Sequence, residues 1–203
     1  MATRMVDLLV VVGPSGVGKS TLIGKLIKEF PNDFGYSVSH TTRNMRQGEV
    51  NGQSYHFVAS EEFRDLAANG QLLEHAVVHD TCYGTSELSV QKVLSEDRVC
   101  FMDLDIVGAQ SLRKHPSLRS LVVFVLPPNF EILEARLRQR GTETDAKITK
   151  RMADGKEWVQ WFHQNRSFFD HSFVNDSLES CYKDFRSAIM NSAFEMDVTK
   201  TSK

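Results

Sequence analysis

The sequence predicts an α/β fold, a doubly wound parallel sheet with helices on both faces, and three observations carry that prediction. The runs Leu8–Val12, Val99–Met102 and Leu121–Leu126 are almost entirely apolar, as strands covered on both faces must be. Stretches of helical character separate them, the rhythm of βαβ units. The first run ends in glycines and opens directly into a helical pattern, and ligands of such sheets sit at the carboxyl ends of the strands.

Bulk properties limit what such a fold can be doing. A chain of 203 residues with 41% hydrophobic and 25% charged residues can bury a sizeable core, as one α/β domain with insertions or as two small domains. The formal net charge of −2 provides no broad basic field, so neither nucleic acid nor an anionic membrane is an expected partner. Cys82, Cys100 and Cys181 are odd in number and widely spaced, which argues against a disulfide framework or a zinc site and fits a reducing, cytoplasmic compartment. No signal-like pattern precedes the first strand and no apolar run approaches the ~18 residues of a membrane span.

In chain order, the first strand feeds Gly13-Pro14-Ser15-Gly16-Val17-Gly18-Lys19-Ser20, a complete G-x-x-x-x-G-K-S sequence. Backbone N–H groups and the positive end of the following helix converge there on a volume suited to a polyphosphate, and side chains at the glycines would block the approach. Gly13, Ser15, Gly16, Val17, Gly18, Lys19, Ser20 and Thr21 are therefore the expected donor-phosphate contacts. Lys19 is expected to reach the outer phosphates and the Ser20 hydroxyl to complete the shell of a Mg²⁺ ion. Leu22, Ile23, Leu26, Ile27 and Phe30 form one face of the helix, and Pro31 stops it.

Residues 37–93 break the βα rhythm and read as an inserted α+β subdomain. Asn51-Gly52 before Tyr55 and Phe57 predicts a hairpin turn into a half-exposed strand, and Glu61-Glu62-Phe63 opens a short helix ending near Gly70. A second excursion covers residues 127–159, where Asn129 predicts the cap of a helix through Arg140, with Gly141 as its stop and a further helix towards Trp158. Phe173-Val174 is a weaker strand, and the polar tail from Asp197 is expected to fray. The core is then 1–36, 94–126 and 160–203.

Several polar residues could carry chemistry. Asp103, after the Val99–Met102 run, lies at the carboxyl end of the sheet, where a carboxylate can hold Mg²⁺ through water, and Asp105 lies two residues on. Arg43, Arg46, Tyr55 and Tyr83 make a candidate clamp for a phosphate dianion, since guanidinium offers a planar fork of donors and a phenol a directed O–H. Arg136, Arg138, Arg140 and Arg151 lie in the second excursion. Alone they would read as a solvated helix face, but beside a phosphate loop they suggest a lid that supplies positive charge to a phosphoryl group in transfer.

These segments, together with Ser37–Arg46, Gly48–Gly52, Tyr55–Phe57, Leu73–Ala76, Tyr83-Gly84-Thr85, Asp103-Leu104-Asp105, Pro127-Pro128 and Arg140–Glu143, occur in the order and spacing of guanylate kinases, which the chain resembles from about Val10 to its C-terminal helix. The resemblance implies a P-loop core, an α+β GMP-binding subdomain at the first insertion and a helical lid at the second, with Mg²⁺, ATP and GMP as ligands; a monomer is expected, though the sequence does not fix the oligomeric state. It implies that Ser39, Glu74 and Thr85 read the guanine base with Asp105 assisting, and that Arg43, Arg46, Tyr55 and Tyr83 hold the GMP phosphate. Arg140 and Arg151 take the lid role, and Asn175 and Asp176 lie beside the adenine. Lys19, Arg46, Arg140 and Arg151 form the implied catalytic set, with Ser20 and Asp103 at the metal. The chain departs from the family at Met45, where proline is usual, and at Cys82. Two alternatives are a non-catalytic scaffold module of the same fold, which the intact loop and lid arginines disfavour, and a related kinase with another phosphate acceptor, which the base-reading set disfavours.

Overall fold

A computed structural model describes residues 3–46, 48–78, 81–141 and 144–195, so Thr142, Glu143 and the tail from Asp197 lie outside the described residues. The chain opens with β1 (Thr3–Arg4) and β2 (Leu8–Val12), then α1 (Lys19–Glu29) and β3 (Phe34–Tyr36). The first insertion holds β4 (His40–Thr41), β5 (His56–Phe57), α2 (Ser60–Ala68), β6 (Leu72–Val78) and β7 (Thr81–Ser86), and α3 (Glu87–Leu94) leads back to the core. The core continues with β8 (Val99–Asp103), α4 (Ile106–Arg113) and β9 (Ser120–Leu126). Helices α5 (Phe130–Gln139) and α6 (Asp145–Gln164) form the second excursion, and β10 (His171–Val174), α7 (Leu178–Ala193) and β11 (Phe194–Glu195) close the chain.

The central sheet has the order β10-β9-β2-β8-β3 with every pair parallel. Strand β2 is central because all five of its residues are buried, and successive residues serve opposite layers. Leu9 and Val11 pack with Leu22 and Leu26 of α1 and Phe185 and Ile189 of α7. Leu8, Val10 and Val12 pack with Val90 of α3, Ala109 and Leu112 of α4, and Phe162 of α6. Full burial of such side chains contributes about 1.5–3 kcal/mol each, which is why these apolar runs rather than the loops between them define the core.

The second sheet, β5-β4-β7-β6, forms the first insertion. Here one expectation is corrected: Asn51-Gly52 does not turn a hairpin. Gly52 does turn, with φ +79 and its N–H on the Tyr55 carbonyl at 2.8 Å. However, His56–Phe57 pairs in parallel with His40–Thr41, a strand from much earlier in the chain. The hairpin of this subdomain is β6–β7, whose sequence carries no Asn-Gly signal. Strand β3, at the edge of the core sheet, was also not expected from three residues containing a glycine. Asp103 is the last residue of β8, opposite Val11, rather than the residue after the strand.

The second excursion follows its local signals. The Asn129 side chain accepts the Ile132 N–H at 2.8 Å and caps α5, and Gly141, at φ +64, ends it. Thr144 caps α6, which runs to Gln164, past residue 159. Among the described residues no helix is long and apolar enough to cross a membrane, and Cys82, Cys100 and Cys181 are all free.

Candidate active site

The loop after β2 is held by contacts that only its sequence permits. A Cβ at Gly13 would come within 2.4 Å of the Val125 carbonyl oxygen, so the chain can pass β9 this closely only without a side chain. Gly18 has φ +101 and its missing Cβ leaves room for the Asn175 amide, whose Nδ2 donates to the Val17 carbonyl at 2.8 Å. Val17 itself is fully buried, so its side chain anchors the loop while its backbone faces Asn175. Lys19 is folded into the loop: its Nζ donates to the Gly13 carbonyl at 2.6 Å and to that of Pro14 at 3.3 Å, and lies 3.5 Å from Asp103 Oδ1. An ammonium encircled by two carbonyls and a carboxylate is held at the mouth of the loop by charge-assisted contacts.

Helix α6 closes over the loop. Arg151 Nη1 donates to Ser15 Oγ at 2.6 Å, and Gly155, one turn on, lets the helix backbone approach Pro14. Arg140, at the C-terminus of α5, lines the main cleft and also a second cavity with Gly18, Thr21, Arg136 and Asn175. Arg136 donates to the Asn175 and Asp176 carbonyls at 2.9 and 3.2 Å, so it fixes the loop after β10 rather than facing solvent. Arg138 instead pairs with Glu134 and Asp145 on the surface.

The other wall of the cleft, which is about 320 Å³ in volume, comes from the inserted subdomain. Arg43 forms a two-pronged pair with Glu49 at 2.7 and 2.9 Å and lies over the Tyr55 ring, 5.3 Å from its centre, with Tyr83 edge-on to Tyr55 at 6.1 Å. Glu49 also accepts the Arg46 backbone N–H at 2.6 Å, so one carboxylate organises both arginines. Met45 is exposed beside them. At Cys82, hydroxyls of Thr41 and Thr42 bond its carbonyl and N–H, so the backbone is held whatever side chain stands there.

Deeper in this wall, Glu74 of β6 sits opposite Thr85 of β7, and Ser39 Oγ lies 3.0 Å from Thr85 Oγ1. Glu74 is only 7% exposed. Burial pushes its carboxyl up to about 7, with Asp105 adding to the rise and hydrogen bonds from Thr85 opposing it. Asp105 accepts the Gly108 N–H at 2.7 Å and so caps α4, whose Gly108 leaves the space that Glu74 Oε2 approaches. Desolvation among the cleft walls also raises the Asp103 carboxyl, a rise that the Lys19 ammonium opposes.

The structure therefore brings Gly13, Ser15, Gly16, Gly18, Lys19 and Ser20 to one side of a single cleft, with Asp103, Arg140 and Arg151 across its middle. Ser39, Arg43, Arg46, Tyr55, Glu74, Tyr83 and Asp105 line the other side. Thr85 is fully buried behind Ser39, Thr21 and Asn175 line the second cavity, and Asp176 enters only through its carbonyl. Residues not assigned from the sequence also matter here. Glu49 lies six positions after Arg43, and Trp158 lines the cleft from α6, two turns beyond Arg151 on the same helix face.

Ser20 and Asp103 offer oxygen donors only, which suits Mg²⁺. No group of three or more His, Cys, Asp or Glu side chains converges among the described residues, as is usual where Mg²⁺ keeps its waters and is shared with substrate phosphates.

Residues 5–192 match the family described as guanylate kinase. The chain belongs to the guanylate kinase family. It is 46% identical over 178 residues to Guanylate kinase 1 of Oryza sativa subsp. japonica, covering 88% of this chain and 46% of that protein. It is 43% identical over 182 residues to Guanylate kinase of Sus scrofa, covering 89% and 90% of the two chains. The chain thus spans less than half of the rice relative and nearly all of the pig one. The crystal structure of guanylate kinase from Anaplasma phagocytophilum superposes with a TM-score of 0.72 at 26% identity, covering 97% of this chain and 90% of that one.

Proposed function

We propose that this chain is an ATP:GMP phosphotransferase that moves the γ-phosphoryl group of ATP to GMP in a single in-line step. The observation that supports this most directly is one cleft with a phosphate loop on one wall and, on the other, a guanidinium–phenol cluster beside a buried carboxyl. GMP fits the second wall. Guanine presents N1–H and N2–H₂ donors, which an ionised Glu74 accepts, while the Ser39 and Thr85 hydroxyls serve the remaining edge and Asp105 assists. Adenine lacks the N1–H and would leave the buried carboxylate unpaired.

The acceptor phosphate takes Arg43, Arg46, Tyr55 and Tyr83. Glu49 and the Asn44 carbonyl hold both Nη1 protons and one on Nη2 of Arg43, which fixes the guanidinium and leaves its Nε–H and second Nη2 N–H as the edge for a dianion. On the donor wall, the loop amides, Lys19, Arg140 and Arg151 balance charge spreading over the transferred group, and Asn175 and Asp176 lie by the adenine. Asn175 Oδ1 is buried without a partner among the described residues, an acceptor for a ligand N–H donor. Ser20, and Asp103 through water, would hold Mg²⁺, which supplies positive charge to the donor phosphates. Leaving its carbonyl partners for phosphate oxygens is the rearrangement asked of Lys19.

The subdomain 37–93 and the lid 127–159 are the parts that close on the core 1–36, 94–126 and 160–203 to keep water from the phosphoryl group. The working unit is a cytoplasmic monomer with two small-molecule substrates and neither nucleic acid nor membrane as partner. A coupled assay presenting Mg²⁺·ATP with GMP, AMP, CMP and UMP in turn tests the reading: GMP alone should turn over efficiently, and equal turnover of AMP would overturn the assignment of Glu74.

A further inference from the structure

We infer that Trp158 is a further acceptor-binding residue: its indole, carried on α6, is an aromatic wall against which the purine of the acceptor packs. The inference rests on the GMP site proposed above and extends it to the lid. Residues 151, 155 and 158 fall at i, i+4 and i+7, one face of α6. The direction of that face is set by two contacts, Arg151 on Ser15 and Gly155 against Pro14, so it looks into the cleft. Trp158 lines the same cleft as Glu74, Leu104 and Asp105. It is half-buried and packs on the cluster that contains Leu104 and Ile106, the neighbours of Asp105.

The groups that read the base act in its plane. Carboxylate and hydroxyl partners at Glu74, Ser39 and Thr85 meet the edge of a purine and leave both π faces uncovered. The other cleft aromatics are engaged elsewhere: Tyr55 and Tyr83 cluster with Arg43, and Tyr36 stacks on Phe101 at 5.5 Å. The indole of Trp158 has no hydrogen-bond partner for its N–H among the described residues and makes none of the ring pairs that hold Trp161 against Phe168 and Phe169. A large flat apolar surface beside a base-reading carboxyl, supplied by the helix whose Arg151 contacts the phosphate loop, also ties occupancy of the acceptor site to lid position.

Stacking is indifferent to the edge of the base, so Trp158 should affect affinity and not the choice among purines. The test titrates GMP and ATP separately against wild type, W158F, W158L and W158A, following indole emission, steady-state KM for each substrate and melting temperature. GMP should change the emission of wild type far more than that of W158F. W158A and W158L should raise the KM for GMP roughly ten-fold, with W158F near wild type, while the KM for ATP stays close to wild type; the melting temperature should fall by a few degrees in W158A, which loses its packing on Leu104 and Ile106, and stay near wild type in W158F. An unchanged KM for GMP in W158A, an equal rise in the KM for ATP, or wild-type emission blind to GMP would overturn the inference. Failure of the wild type to phosphorylate GMP would remove the parent reading and this one together, whereas GMP turnover with an indifferent W158A removes only this one.

Discussion

The two walls of the cleft are built by different means. The donor wall is made of backbone: glycines where a Cβ would strike Val125 or Asn175, a carbonyl of Val17 tied to Asn175, and carbonyls of Gly13 and Pro14 around Lys19. The acceptor wall is made of side chains: the Arg43–Glu49 pair, the Ser39–Thr85 hydroxyls and a buried Glu74. Backbone amides recognise any polyphosphate, so that wall supplies charge and position and little selectivity. Titratable side chains in a desolvated wall can tell one base from another, and they make that wall sensitive to pH.

The contrast can be broken by exchanging the effects. The largest expected change is on the donor side: Lys19→Ala should lower kcat by about 10³-fold, with GMP binding retained, because the lost charge acts on the group in transfer. Turnover near wild type from a folded K19A protein, in the coupled assay, would remove Lys19 from the mechanism. Next, Glu74→Gln should lower kcat/KM for GMP by about 10²-fold and leave the KM for ATP nearly unchanged, since only the acceptor loses its anionic partner. Equal effects on both substrates would mean that Glu74 supports the fold rather than reading the base.

The pH dependence follows from the same residue. In the free chain the Glu74 carboxyl is raised to about 7, and the form that accepts guanine donors is the ionised one. GMP affinity should therefore be full above that value and fall by about ten-fold per pH unit just below it, with proton release on binding near pH 7; E74Q should lose that component and keep only the dependence from the second ionisation of the GMP phosphate itself, at about 6. Calorimetry in two buffers of different ionisation heat measures this. For the free fold the sign is opposite: a raised carboxyl contributes stability below its ordinary value of 4.5 that is lost as pH rises through about 7. The smallest expected effect sharpens the lid assignment. Arg138→Ala removes only surface pairs with Glu134 and Asp145, so kcat and both KM values should stay within about two-fold, whereas Arg140→Ala should cost activity.

Much of the site was legible before the fold was known, and the exceptions have physical causes. The loop, α1, β8, β9 and the caps at Asn129 and Gly141 are local features, each decided by residues within a few positions of one another. The expected hairpin at Asn51-Gly52 failed because a turn signal specifies a reversal and not the strand that receives it: His56 pairs with His40, sixteen positions upstream, in parallel. Strand β3 was missed because Phe34-Gly35-Tyr36 is too short to display a period and gains its ladder from Val99–Phe101. Glu49 and Trp158 lacked any signal of their own, since a glutamate in a turn and a tryptophan on a helix usually have structural roles.

What the sequence alone determined was the polyphosphate-binding half, because a phosphate loop is a continuous segment whose chemistry lies in its own backbone. What only the tertiary structure decided was the state of the acceptor half. Glu74 and Thr85 face each other across β6 and β7, with Asp105 arriving from the end of β8, and the desolvation that raises the Glu74 carboxyl is a property of that enclosure. Side chains brought together from distant strands acquire their protonation from their surroundings, and surroundings are not written in any single stretch of the chain.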